Sequence, residues 1–147
     1  MEIVLYQPEI AGNVGAIIRL SANTGVSLNL IKPFGFELQE NKIRRAGLDY
    51  HDLSITKTYE SWNEFKEING KKNICCLSSK GTPSYWDTDL NNYDFLLFGP
   101  ESIGLPDEII ENHKTITIPM KENSRSINLA NSVGIVVFES LRQANVK

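Results

Sequence analysis

KTITIPM at residues 114–120, KENSRS at 121–126 and NLANSV at 128–133 form the stretch that decides the fold. The first segment has the pattern of a strand. The last begins at Asn128, a good helix cap, and predicts a helix that continues to about Ala144. Open α/β folds bind their ligands where a parallel strand ends and a helix begins. The polar loop between these two elements therefore predicts a binding site.

The remainder of the chain alternates predicted strands with predicted helices. This alternation indicates a mostly parallel sheet with helices on both faces, which is an α/β fold. Further strands are predicted at residues 3–6, 27–31, 55–59, 72–77 and 94–98. Further helices are predicted between Gly12 and Gly25, around residues 42–46, from Ser61 to about residue 68 and from Pro106 to about residue 112.

The composition is that of an ordinary soluble globular protein. The 147 residues fit one domain, 1–147, with 41% hydrophobic and 22% charged residues. The start lacks the features of a secretion signal, and no apolar run approaches the roughly 20 residues of a membrane span. We therefore expect a cytoplasmic protein. A formal net charge of −3 argues against indiscriminate nucleic-acid binding but leaves room for a local basic patch.

The cysteines and histidines of the sequence lack the spacing that a metal site or a disulfide requires. Cys75 and Cys76 are neighbours, so in a strand they would point to opposite faces of the sheet. His51 and His113 are isolated in the sequence. No metal enzyme is expected from this pattern.

The first polar loop, GNVG at residues 12–15, is followed by Arg19. Its structural interpretation is that Asn13 caps a helix, Gly15 eases packing and Arg19 is solvated. On the residues alone this interpretation is favoured over a functional one. The glycine spacing does not match a dinucleotide-binding motif.

Two later loops have more polar or rigid residues than a turn requires. FGPESIGLP at residues 98–106 holds two glycines, which allow a ligand close to the backbone, and two prolines, which stiffen the loop. A ligand loop and a structural turn are about equally supported there. In the last loop, capping explains one or two polar residues but leaves Lys121 and Arg125 unexplained. The small polar residues of that region are Ser126, Asn128, Asn131 and Ser132.

Together these loops resemble the SPOUT superfamily of RNA methyltransferases. Within it, the chain is similar to the small SpoU-like group that methylates the ribose 2′-hydroxyl of the tRNA wobble nucleotide, position 34. The resemblance runs nearly end to end. It rests on IVLYQPEIAGNVGAIIRLSANTG, RRAGLDYH, SSKGTP, FGPESIGLP and IPMKENSRSINLANSVGIVVFESLRQ.

The resemblance implies an α/β fold with a deep trefoil knot at its C-terminal end. It also implies that the knot loops hold S-adenosylmethionine, the methyl donor and co-substrate, and that no metal takes part. The expected acceptor is a cytidine or modified uridine at position 34, with leucine isoacceptors of tRNA as the expected substrates. Carried over residue by residue, the cofactor-binding positions are Leu77, Gly99, Glu101, Gly104, Ile118, Met120, Ser126 and Leu129.

The resemblance also implies catalytic and RNA-binding positions. A guanidinium with a pKa above about 12 is a poor general base. We therefore expect Arg19 to grip a phosphate or the developing alkoxide, while the other catalytic residues orient the reactants. The catalytic positions are Arg19, Asn13, Glu101, Ser126 and Asn128. The RNA-binding positions are Arg44, Arg45, Lys80, Lys121 and Arg125.

The expected partners are the anticodon arm of tRNA and a second copy of the chain. Members of the family form homodimers through the first and last helices, so Arg19 is expected to face the partner's cofactor. Three alternatives stay open. The chain could act on another RNA such as ribosomal RNA, serve as a non-catalytic RNA-binding module, or be a generic nucleotide-binding α/β protein.

Overall fold

A computed structural model describes residues 1–37 and 55–145 of the chain. The short helix predicted around residues 42–46 lies outside them. The strands are β1 (Glu2–Tyr6), β2 (Leu28–Ile31), β3 (Thr56–Tyr59), β4 (Ile74–Leu77), β5 (Phe95–Phe98) and β6 (Lys114–Ile116). The α-helices are α1 (Ala11–Thr24), α2 (Trp62–Asn69), α3 (Asp107–Asn112) and α4 (Leu129–Gln143).

The strands of this part of the chain form one sheet in the order β3-β2-β1-β5-β4-β6, and every pairing is parallel. The predicted α/β fold is therefore confirmed. The strand order reverses between β1 and β5, so the loops after these two neighbours diverge at the carboxyl edge of the sheet. Such a switch point is where open α/β sheets bind ligands. The trefoil knot stays a prediction.

Helices cover both faces of the sheet. Helices α1 and α4 pack on one face through residues such as Ile17 and Val136, while α2 and α3 cover the other through Phe65 and Ile109. Cys75 belongs to the first core and Cys76 to the second, which confirms that they point to opposite faces. Burial raises the pKa of each thiol to about 12, so both are protonated, inert core residues.

The strand predicted over residues 114–120 is shorter in the structure. It ends at Ile116, and Thr117 then pairs with the loop after β4: its N–H donates to the Pro83 carbonyl at 3.0 Å. The Tyr85 N–H donates in turn to the Thr117 carbonyl at 2.9 Å. Pro119 has no N–H to extend a ladder further. Loop pairing therefore replaces the predicted end of the strand.

The connection from β4 to β5 departs from the alternation of strands and α-helices. It contains two short 3-10 helices, Tyr85–Asp87 and Leu90–Asn92. Gln143 of α4 holds this connection in place. Its Oε1 accepts from the Leu90 N–H at 2.8 Å, and its Nε2 donates to the Thr88 carbonyl at 3.0 Å.

The predicted helix ends at Gly25, Ser61 and Asn128 are confirmed in the structure. Gly25 ends α1 with φ of 71°, and the Ser61 side chain accepts from the Glu64 N–H at the start of α2. Asn128 caps α4. Asn13 does not cap α1, because the helix already begins at Ala11 and Ile10 occupies the capping position without a capping side chain. None of the helices in the described residues has the length and apolarity to cross a membrane.

Candidate functional site

A cavity of about 440 Å³ opens at the carboxyl edge of the sheet. The loops that follow β1, β4, β5 and β6 surround it, and the start of α4 completes it. The parallel register explains this assembly, because loops far apart in sequence leave the same edge. All eight predicted cofactor-binding residues line the cavity: Leu77, Gly99, Glu101, Gly104, Ile118, Met120, Ser126 and Leu129.

Two glycines shape the loop after β5, one through close backbone packing and the other through its backbone conformation. A Cβ at Gly99 would collide with the backbone of Gly104 and Leu105. Gly104 has φ of 72°, a left-handed conformation that strains other residues, and its N–H donates to the Pro100 carbonyl at 3.0 Å. The loop therefore folds back on itself and presents backbone groups to the cavity.

Glu101 joins this loop to the start of α1. Its carboxylate accepts from the backbone N–H of Glu9 at 2.8 Å and of Ile10 at 3.2 Å, and from Asn13 Nδ2 at 2.9 Å. Helix α1 has no capping side chain of its own at Ile10. Glu101 thus supplies negative charge where the helix dipole favours it, from a loop about 90 residues later in the chain.

Asn13 and Asn128 extend this network to the last loop. The Asn128 Nδ2 donates to Asn13 Oδ1 at 2.8 Å, while Asn128 Oδ1 accepts from the backbone N–H groups of Ala130 and Asn131 and so caps α4. Asn13 is buried, with 8% of its surface exposed. Both ends of its amide are therefore used, one by Glu101 and one by Asn128. Three loops meet at this single side chain.

The other predicted catalytic residues are placed differently. Ser126 lines the cavity and is exposed, and it caps no helix. Arg19 lies on the exposed surface of α1 and does not line the cavity. It comes six positions after Asn13, which places it about 120° away around the helix. The structure thus brings Asn13, Glu101, Ser126 and Asn128 together and leaves Arg19 outside the group.

The predicted RNA-binding residues lie partly around the cavity. Lys80 lines it, and its Nζ is 2.9 Å from Asp107 Oδ1. Lys121 and Arg125 are exposed on the loop that leads to α4, outside the cavity lining. Arg44 and Arg45 lie outside the described residues. Within residues 1–37 and 55–145, no group of His, Cys, Asp or Glu residues could hold a metal ion.

Two residues of the network, Glu9 and Ser102, were not predicted from the sequence. The Glu9 carboxylate accepts from the backbone N–H of Ser102 at 2.8 Å and from its hydroxyl at 2.7 Å. A signal existed: both loops open with the same dipeptide, Pro8-Glu9 in one and Pro100-Glu101 in the other. Only the pairing of β1 with β5 shows that these dipeptides are neighbours.

The cavity can bind a ligand that reads backbone groups and small polar side chains. Its walls combine apolar side chains, such as Ile118 and Met120, with small polar side chains, such as Ser126 and Asn128, and with the backbone of the loop after β5. Asn13, Ser126 and Asn128 are among its polar lining residues, so hydrogen bonding is the chemistry that this geometry offers a ligand.

Comparison with known proteins agrees with this geometry. Residues 1–138 match the SpoU rRNA Methylase family. The chain is 47% identical over 146 residues to a tRNA (cytidine(34)-2′-O)-methyltransferase of Aeromonas hydrophila, covering 97% of this chain and 94% of that protein. It is 43% identical over 146 residues to the protein of the same name in Escherichia coli K12, covering 97% and 93%. A solved structure concerned with the 2-OH methylation of C/U34 on tRNA has a TM-score of 0.91 and 39% identity, covering 99% of this chain and 97% of that one.

Proposed function

This chain belongs to the SpoU methylase family, and from that premise we propose that it methylates the ribose 2′-hydroxyl of nucleotide 34 in tRNA. S-adenosylmethionine is the methyl donor, and cytidine or modified uridine is the acceptor, with leucine isoacceptors as the first substrates to test. The observation that carries the proposal is the cavity at the switch point, because all eight residues assigned to the donor line it. The proposed place of action is the cytoplasm, where tRNA is modified.

The donor fits the cavity on grounds of shape. Leu77, Ile118 and Met120 offer backbone groups and apolar surface for an adenosine, and Gly99 lets the loop after β5 pack tightly on itself beside them. When bound, S-adenosylmethionine supplies an activated methyl group. The residues around it hold the acceptor ribose in line, and such orientation supplies a large part of the acceleration in two-substrate reactions.

The polar network orients this site rather than acting as its base. The Glu101 carboxylate already accepts three hydrogen bonds from the loop after β1, and both ends of the Asn13 amide are engaged. These side chains therefore fix the positions of three loops before the reactants bind. Ser126 makes no capping bond and is exposed at the cavity, so its hydroxyl is placed to contact the ribose or the donor.

A second copy of the chain supplies Arg19 in this proposal. Arg19 lies outside the cavity of its own chain, on a helix that packs beside α4 on the same face of the sheet. The outer side of α4 carries Ile135 and Phe138, and Phe138 has 59% of its surface exposed. Covering this apolar side with the same surface of a partner gives a closed two-fold dimer. Arg19 of each chain then faces the partner's cavity.

The RNA contacts follow from the exposed cations near the cavity. Lys80 lines the cavity, and Lys121 and Arg125 are exposed on the loop between β6 and α4; all three can bind phosphates of the anticodon arm, and Arg44 and Arg45 are proposed to add to them. Two modest basic patches joined in a dimer reinforce each other through multivalent binding, which reconciles tRNA binding with a net charge of −3.

The test is a map of methylation in RNA treated with the purified protein and S-adenosylmethionine. Total tRNA and ribosomal RNA are offered together, digested, and read by mass spectrometry of the oligonucleotides. The expected product is 2′-O-methylation at nucleotide 34 of tRNA and at no position in ribosomal RNA. Methylation confined to ribosomal RNA would overturn the proposed substrate, and methylation of a base would overturn the proposed chemistry.

A further inference from the structure

The loops after β1 and β5 are joined by reciprocal hydrogen bonds, because each loop has a carboxylate that accepts from groups of the other. Glu101 of the second loop binds the backbone of Glu9 and Ile10 in the first. Glu9 of the first loop binds back, because its Oε2 accepts from the Ser102 N–H at 2.8 Å and its Oε1 accepts from the Ser102 hydroxyl at 2.7 Å. Each acidic side chain is thus satisfied by groups of the other loop.

These reciprocal hydrogen bonds join two loops that the strand pairing of the sheet does not hold together. The ladder between β1 and β5 ends with the pair Leu5 and Phe98. Beyond that pair, the segments that follow β1 and β5 diverge, because the strand order reverses between these two strands. In the described residues, no backbone–backbone hydrogen bond joins residues 7–10 to residues 99–106. The relative position of the two loops therefore depends on side chains, and the two carboxylates make the contacts.

Ser102 presents two hydrogen-bond donors, its N–H and its O–H, to the carboxylate at position 9. They hold the pKa of the Glu9 carboxyl below its ordinary value, with the bond from the hydroxyl as the larger cause and the bond from the backbone as the second. A glutamine could accept from the Ser102 N–H, but its Nε2 would have to donate to the Ser102 hydroxyl, so one of the two bonds would be reversed and neither would be charge-assisted.

We propose that Glu9 and Ser102 are a positioning pair for the methyl transfer, which rests on the function proposed above. Glu9 does not line the cavity, so it acts through other residues. Its bond to Ser102 holds the adjacent Glu101 over the start of α1, where Glu101 orients Asn13 and, through Asn13, Asn128. Reactant orientation at the cavity is therefore set from a side chain outside it.

The kinetic test compares Glu9→Ala, Ser102→Ala, Ser102→Thr and the double variant Glu9→Ala/Ser102→Ala. Misplacement of catalytic groups by about 1 Å costs up to about 100-fold in rate, so we expect kcat of Glu9→Ala to fall about 10- to 100-fold, with KM for tRNA within about twofold of wild type. Ser102→Thr keeps both donors and is expected to retain a higher kcat than Ser102→Ala. The double variant is expected to equal Glu9→Ala, because the two residues share one interaction.

Glu67→Ala is the matched control, since Glu67 is an exposed carboxylate on α2, away from both loops. It is expected to leave kcat and KM unchanged. Additive losses in the double variant, or equal losses in Ser102→Thr and Ser102→Ala, would overturn the pairing. Full kcat in Glu9→Ala beside an active wild type would overturn the positioning role, whereas an inactive wild type would count against the proposed function instead.

A second readout does not depend on activity. The side-chain amide of Asn13 is two contacts away from Glu9, through Ser102 and Glu101, and its resonances in an NMR spectrum report its hydrogen bonds. Glu9→Ala is expected to shift them. The side-chain amide of Asn29, which is buried and bonded to Glu2 and to the Ile3 carbonyl, serves as the internal reference and is expected to stay in place. An unshifted Asn13 amide would contradict the proposal.

Discussion

Two regions of the molecule differ in how much of the proposed site one chain supplies. They are the carboxyl edge of the sheet and the outer surface of α1 and α4. At the edge, one copy supplies the cavity walls and a network in which Glu101, Asn13 and Asn128 satisfy one another. On the outer surface, Arg19 is exposed away from the cavity and Phe138 is 59% exposed. The comparison teaches that one chain supplies the walls of the proposed donor pocket, whereas the proposed reaction needs a second copy.

The difference has a geometric cause. Asn13 and Arg19 are on the same helix, but their offset of six positions places their side chains on different sides, about 120° apart. Helix α1 can therefore serve the cavity of its own chain with Asn13 and another surface with Arg19. Substitutions at each site should separate binding from turnover, and their effects are expected to decrease in the order given below.

Arg19→Ala is expected to produce the largest effect. Removal of one donor that stabilises developing charge lowers kcat by about 10²–10³-fold in enzymes. Because Arg19 does not line the cavity of its own chain, the Kd for S-adenosylmethionine should stay within about twofold of wild type. Arg19→Lys keeps the charge but loses the planar fork, so it should recover only part of the rate. Methyl transfer and calorimetry provide the two measurements; a normal rate in Arg19→Ala would break the comparison.

Phe138→Asp is expected to dissociate the proposed dimer. A carboxylate buried without a partner costs several kcal/mol, so association should weaken about 100-fold or more. Sedimentation velocity should show a monomer that still binds S-adenosylmethionine, since the cavity belongs to one chain, and transfer to tRNA should fall with the dimer. A suitable control is Phe138→Leu, which keeps an apolar surface. Full activity in a monomeric Phe138→Asp would show that Arg19 does not act across a dimer.

Two roles of Asn128 at the carboxyl edge of the sheet can be tested separately: it caps α4, and it donates a hydrogen bond to Asn13. Asn128→Ala removes the cap of α4 and should cost about 1 kcal/mol of stability, lowering Tm by about 2–4 °C. Asn128→Asp keeps the capping oxygen but loses the N–H donor to Asn13, so Tm should stay near that of wild type while kcat falls about tenfold. Thermal unfolding and methyl transfer measured on both variants test this. Equal rates in Asn128→Asp and wild type would show that the hydrogen bond from Asn128 to Asn13 does not contribute to methyl transfer.

The smallest predicted effect concerns the buried thiols of Cys75 and Cys76, whose reactivity tests whether β4 is buried in the core. Burial raises the pKa of Cys75 and Cys76 from 9.0 to about 12, so the folded state binds thiol protons more tightly than the unfolded state. This contribution to stability is complete below about pH 9 and is lost as pH rises toward about 12. Iodoacetamide at pH 8 should therefore label neither residue without denaturant. Rapid labelling of the folded protein would contradict the burial of β4.

The sequence predicted the local features of this molecule well and its long-range contacts poorly. The strands, the stop at Gly25 and the caps at Ser61 and Asn128 follow from local backbone chemistry, and the confirmed α/β fold follows from the alternation of elements. The true end of β6 depends on the loop after β4, which pairs with Thr117 instead of a neighbouring strand. No local pattern encodes that contact.

The site shows the same division. The cavity residues were predicted from the family resemblance, because the loops that carry them have specific motifs. Asn13 looked like a helix cap, yet the structure buries it between Glu101 and Asn128, each about 90 to 115 residues away in sequence. Glu9 and Ser102 depend on the adjacency of β1 and β5, which spacing along the chain does not reveal.

The most direct test of the central claim uses two tRNA transcripts that differ only in the position of one missing hydroxyl. One carries 2′-deoxyribose at nucleotide 34 and the other carries it at nucleotide 33, and both are offered with methyl-labelled S-adenosylmethionine. The account predicts label in the transcript with an intact ribose at 34 and none in the transcript deoxygenated there. Equal labelling of the two transcripts would contradict methylation of the 2′-hydroxyl at position 34.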